Sequence, residues 1–240
     1  MNMQAQNCFI VDGNIGAGKS TFLRIVGEHI QIQIVPEPHE KWQNIGGDDN
    51  LLQKFYTDAP RWAYTFQSYA FVTRVMEQQA AALKNPYNAQ LLERSVFSDR
   101  YCFAKNAYEL GYMNALEWKL YQEWFTWLVD TYVVKPTGFI YMQTSPEVCY
   151  QRLVKRNREE ESGVPMQYLQ QLHDKHQQWL IDKNDVAHYI KDVPVLVLNC
   201  DTDFEQDQAE QERLLAQVIS FVGIHTPRGI FKQPTSPLRL

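Results

Sequence analysis

The chain has 240 residues, of which 45% are hydrophobic and 21% charged, and its formal net charge is −5. A chain of this size buries one sizeable core, and α/β chains of this length are commonly a single domain. An acidic balance without a long Lys/Arg run argues against a nucleic-acid partner, and no apolar stretch approaches the length of a membrane span. The first predicted element is a buried strand at residues 9–12, which runs into Gly13-Asn14-Ile15-Gly16-Ala17-Gly18-Lys19-Ser20 and then a helix at 19–30. This segment is a P-loop, G-x-x-x-x-G-K-S/T, in its proper strand and helix context. Its constrained positions coincide by chance in roughly 1% of chains this long, before context is demanded. The glycines let successive N–H groups face an anion, and the helix N-terminus adds its positive dipole end. Lys19 then reaches the β- and γ-phosphates, and the Ser20 hydroxyl takes Mg²⁺. A P-loop names the donor, a nucleoside triphosphate, but not the reaction.

A second strand, 33–36, leads into Glu37-Pro38, and a third, 90–93, ends in Glu93-Arg94-Ser95. In a parallel sheet, ligands sit beyond the carboxyl ends of the strands, so two carboxylates and a guanidinium share the P-loop's edge. Either acid suits proton acceptance or magnesium, and the arginine suits charge on a transferring phosphoryl group. Taken singly, each is equally a helix-cap or surface charge. Between these strands a helix is expected over 60–84, with Gln67, Ala70 and Arg74 on one stripe among Trp62, Tyr64, Phe66, Tyr69, Phe71 and Val72. An amide and a guanidinium amid aromatics suit a planar heterocycle, although spacing alone favours a solvated stripe.

Helices follow at 95–110 and 114–134, then a strand at 139–143 and a helix at 146–156 opened by Ser145 and Pro146. That helix carries Arg152 and Arg156 four apart and breaks at Arg158 into an acidic turn, a pattern of a mobile lid or of a surface cluster. A helix at 165–183, a strand at 195–199 and a helix at 204–222 complete the alternation. His173 and His176 have no cysteine pair beside them and read as packing or solvent-facing residues, not metal ligands. Residues 1–224 read as one domain and 225–240, with three prolines and no acid, as a loose tail. Cys8, Cys102, Cys149 and Cys200 form no C-x-x-C pair, and residues 1–7 lack a charged or apolar leader pattern. Reduced buried thiols and a cytoplasmic location are expected.

In chain order, Gly13–Thr21, Val35-Pro36-Glu37-Pro38, Pro60-Arg61-Trp62, Thr65-Phe66-Gln67 and Glu93-Arg94-Ser95 through Tyr101 carry a resemblance. So do Met113-Asn114, Tyr121-Gln122, Arg156-Asn157-Arg158, Glu160-Glu161, Gly163-Val164-Pro165 and Leu172-His173. The chain resembles the deoxycytidine/deoxyguanosine kinase family over about residues 9–222. The resemblance implies a P-loop kinase fold: a five-stranded parallel sheet, helices on both faces and an Arg-rich lid. It implies transfer of the γ-phosphate of ATP or another NTP, with Mg²⁺, to a deoxynucleoside 5′-hydroxyl.

By resemblance, Glu37 accepts or orients the hydroxyl proton, Glu93 lies near Mg²⁺ as the competing base, and Arg94 contacts the 5′-oxygen and phosphates. Tyr56 and Glu161 match the residues that hold the sugar 3′-hydroxyl. Gln67 matches the reader of the base edge, with Trp42, Phe66 and Phe103 as the apolar slot. Arg152, Arg156 and Arg158 match the lid, and Thr202, Asp203 and Phe204 the loop that receives the ATP base. Ala70, Arg74 and Asp99 resemble the trio of deoxycytidine-kinase members and fill the space a thymine methyl needs, so deoxycytidine and purine deoxynucleosides are expected over thymidine. His39 departs from the small apolar residue usual in relatives. The resemblance also implies a homodimer, for which the aromatic helix at 121–132 is a candidate, although core packing explains that helix as well. The rival is a thymidylate-type nucleotide kinase, suggested by Asp99-Arg100-Tyr101; a GTPase is disfavoured because N-K-x-D is missing.

Overall fold

The computed structural model describes residues 7–84, 87 and 89–226. The strands β1 (Asn7–Asp12), β2 (Gln33–Val35), β3 (Ala89–Glu93), β4 (Gly138–Gln143) and β5 (Val195–Asn199) form one sheet in the order β2-β3-β1-β4-β5. Every neighbouring pair is parallel, with Val11 opposite Glu93 and Asp12 opposite Tyr141. This is the five-stranded α/β sheet that the alternation of strand and helix predicts. The helices in chain order are α1 (Lys19–His29), α2 (His39–Gln43), α3 (Leu51–Thr57), α4 (Ala59–Lys84), α5 (Val96–Ser98), α6 (Lys105–Glu109), α7 (Ala115–Tyr132), α8 (Pro146–Arg156), α9 (Met166–His176), α10 (His188–Lys191) and α11 (Gln208–His225).

Both faces of the sheet are covered. Along β1, Cys8 and Ile10 join one buried cluster while Phe9 and Val11 join the other; Phe139/Tyr141 and Ile140/Met142 divide β4 in the same way. Period-two alternation with both sets apolar is the mark of strands sealed on two sides. Phe71 and Val75 of α4 and Phe125 and Val129 of α7 close the first cluster. Phe22 of α1, Leu153 of α8, Leu172 of α9 and Val218 of α11 close the second. The strands therefore all end at one edge, where the P-loop lies between β1 and α1.

Several expectations need correction. The runs expected as single helices at 95–110 and 165–183 contain widened π-turns, Asp99–Ala104 and Gln177–Ile181. The last helix begins at Gln208, not 204: Asp207 caps it through Glu210 N at 3.1 Å, and residues 203–206 turn so that the Phe204 ring goes inward. That helix runs on through His225, and Thr226 is buried, so the tail does not start at 225; residues 227–240 lie outside the described residues. Helices α2 and α3 were not expected at all. Asn50 caps α3 by accepting Gln53 N at 2.8 Å, and Leu51, Leu52 and Phe55 are buried on its inner face.

Candidate active site

The P-loop backbone curls as its glycines require. Gly18 has φ +91, and a Cβ there would lie 2.8 Å from Phe204 Cζ, so the loop closes directly on that ring. Lys19 is buried and donates to the carbonyls of Gly13 (3.2 Å) and Asn14 (2.7 Å). Burial first, then the neighbouring Arg94 charge, lower its pKa to about 8. Ser20 Oγ donates to Glu93 Oε1 at 2.7 Å, which joins α1 to the end of β3.

At the mouth of the sheet, charge is concentrated and buried. Glu37 follows β2, and both of its carboxylate oxygens are taken. Oε1 accepts from Arg74 Nη2, and Arg94 Nη1 bridges both oxygens at 3.1 Å. His39 Nε2 lies 2.7 Å from Oε2. Burial alone would raise the Glu37 pKa, but Arg94, then Arg74 and His39, hold it well below the usual carboxylate range. Arg94 adopts a left-handed backbone, φ 59, an arrangement that costs about 1–3 kcal/mol and concentrates at functional sites. Arg74 reaches the other way through Nε to Asp99 (3.1 and 2.9 Å), and the π-turn presents Asp99 to it. Burial pushes the Asp99 carboxyl up to about 6 against the pull of Arg74.

One side of the site is apolar. Trp42 meets Phe66 edge-on at 5.6 Å, Phe55 stacks on Phe66 at 4.8 Å, and Arg94 lies 4.7 Å over the Phe103 ring. Gln67 and Ala70 are 1% exposed, so the Gln67/Ala70/Arg74 stripe is buried and not solvated. These groups line one cavity of about 420 Å³, together with Ile15, Gly16, Gly18, Lys19, Ser20, Thr21, Tyr56 and Glu161. Arg152, Arg156, Arg158, Asp203 and Phe204 complete its lining. Arg156 and Arg158 both turn toward Glu161, and Arg152 donates to the carbonyls of Cys200 (2.9 Å) and Thr202 (3.0 Å).

Gly13, Asn14, Ala17 and Thr202 contribute backbone around the cavity without lining it: their carbonyls accept from Lys19, Arg94 or Arg152. Leu52, Phe55, Tyr168, Lys155 and Glu205 also line it and were not singled out from the sequence. For Leu52 and Phe55 the i,i+3 spacing was a usable signal. Below the P-loop, His176 is fully buried, 3.1 Å from Asp12 Oδ1 and stacked on Tyr141, so of the two expected alternatives it packs.

A P-loop facing an apolar slot with carboxylates at its mouth defines a phosphotransferase that serves a small acceptor. The family described as deoxynucleoside kinase matches residues 9–223. The chain is 40% identical to deoxycytidine kinase 2 of Gallus gallus (88% of this chain, 89% of the relative). It is 44% identical to a probable deoxycytidine kinase of fowlpox virus (88% and 86%) and 42% to the mitochondrial deoxyguanosine kinase of Xenopus laevis (88% of each). The chain belongs to the deoxynucleoside kinase family.

Proposed function

We propose that this deoxynucleoside kinase moves the γ-phosphoryl group of ATP, or another NTP, to the 5′-hydroxyl of deoxycytidine and purine deoxynucleosides in preference to thymidine. The observation that carries the reading is Arg74, which links Glu37 at the mouth of the sheet to Asp99 at the far end of the slot. The proposed acceptor-side carboxylate and the base-reading pair are thereby held as one rigid unit, with Gln67 two turns before Arg74 on the same stripe of α4. The Arg74–Asp99 pair offers hydrogen bonds to an amino group or ring nitrogen and leaves no room for a methyl group. Tyr56, whose pKa burial and then the Glu161 charge push up, stays protonated and donates to a sugar hydroxyl, while Glu161 accepts from it.

The site residues act mainly by positioning. Glu37 orients the attacking hydroxyl and takes its proton late, while Lys19, Arg94 and the lid arginines Arg152, Arg156 and Arg158 meet charge on the moving phosphoryl group. Thr202, Asp203 and Phe204 receive the donor base. Ser20 and Glu93 would hold Mg²⁺, since a hydroxyl and a carboxylate already in contact are the hard oxygen donors it takes. When bound it neutralises charge between the β- and γ-phosphates.

The homodimer is supported by an exposed apolar face: Val72 and Met76 of α4 and Trp124 and Trp127 of α7 point outward, each 41–54% exposed. We place the enzyme in the cytoplasm, supported by four free, buried thiols; among the described residues no helix is long and apolar enough to cross a membrane. Nothing favours the nucleotide-kinase alternative. The test of base preference is a steady-state panel of the four deoxynucleosides with ATP: thymidine is expected last in kcat/KM, and thymidine first would overturn the preference.

A further inference from the structure

The Glu37 carboxylate has no free acceptor position. Two carboxylate oxygens offer roughly four lone-pair sites. Arg74 and Arg94 occupy Oε1, and Arg94 and His39 occupy Oε2. An acceptor hydroxyl that donates to Glu37 must therefore displace one of these donors.

The three are not equally tied. Arg74 is anchored at its other side by both oxygens of Asp99 and is 7% exposed. Arg94, also 7% exposed, donates through Nη2 to Gly13 O at 3.3 Å and packs over Phe103. The His39 ring is 24% exposed, its Nδ1 is buried without a hydrogen-bond partner, and its remaining ring contact is the edge of Trp42 at 5.2 Å. Resting on the kinase reading above, we propose that His39 is a placeholder for the acceptor hydroxyl: its Nε2–H holds Glu37 Oε2 before substrate arrives and yields that position to the nucleoside's 5′-OH. His39 is thus a positioning residue that competes with substrate.

The experiment measures kcat and nucleoside KM at neutral pH for wild type, His39→Leu and His39→Gln. His39→Leu, which removes the donor, is expected to lower KM about three- to tenfold, the worth of one hydrogen bond. His39→Gln keeps a donor, so its KM should stay near the wild-type value. Unchanged or raised KM in His39→Leu, a loss confined to kcat, or a His39→Gln KM that falls as far as that of His39→Leu would overturn the proposal. Wild-type turnover in the same assay carries the kinase reading by itself, so the comparison among variants bears on His39 alone.

Discussion

At the scale of single residues, two buried charges decide what the site can do. Glu37 is held as a carboxylate by Arg94 and Arg74, so it is a weak base before substrate binds, with its acceptor positions taken by protein donors. A loose phosphoryl-transfer transition state asks for little more until late in the reaction. Glu37→Gln should lower kcat roughly 10²–10⁴-fold if the carboxylate is the general base; near-normal turnover would pass that role to Glu93. Lys19, its pKa lowered to about 8 chiefly by burial, gives up part of its charge in the free enzyme as pH rises through that region. A bound triphosphate restores its charge, so donor binding at pH 8 should take up a fraction of a proton, measured by calorimetry in buffers of different ionisation enthalpy. Zero uptake would mean Lys19 is fully charged before the donor arrives. The residues of the P-loop, Glu37, Glu93 and Arg94 were legible as chemistry because strand ends and glycine spacing announce them. The sharing of Glu37 among three donors was not, since it depends on how β2, β3 and α4 converge in space.

At the scale of elements, the long apolar runs declared themselves, and the short helices did not. The five strands and the helices that cross between them follow from period and length. Helix α3 was missed because it is seven residues long and follows Gly46-Gly47-Asp48-Asp49, which reads as loop, yet it supplies Leu52 and Phe55 to the slot. The start of α11 was misplaced because Phe204 looks like a helix's apolar face, when it packs edge-on to Phe22 at 6.2 Å beside the P-loop. The α4 stripe shows why spacing is insufficient: Gln67 and Arg74 could have faced water, and the Asp99 π-turn and Glu37 draw the arginine inward instead. Arg74→Met combined with Asp99→Ala removes the buried pair and opens space at the far end of the slot. The double variant should raise thymidine kcat/KM relative to deoxycytidine by about tenfold or more. That is the scale, about 1–2 kcal/mol, expected when a pocket admits a methyl group and no longer hydrogen-bonds an amino group. Unchanged relative rates would remove the steric account.

At the scale of the whole molecule, the sheet buries two cores, so the apolar face left over on α4 and α7 stands out. Trp124 and Trp127 are each 51% exposed, whereas Tyr121 and Phe125 of the same helix are inside. Core packing thus uses one side of α7 and leaves another side for the proposed pairing. Trp124→Glu with Trp127→Glu should convert a dimer to a monomer in sedimentation velocity, and a dimer that survives would place the interface elsewhere. The account as a whole rests on a cavity that brings a sugar's primary alcohol to the terminal phosphorus of the donor. The most direct measurement is to incubate the enzyme with magnesium and ATP labelled in the γ-phosphate, offer deoxycytidine or deoxycytidine monophosphate separately, and identify the labelled product by phosphorus NMR. The account predicts label in the 5′-monophosphate from the nucleoside and none added to the nucleotide; label entering only a diphosphate, or no labelled nucleoside product, would contradict it.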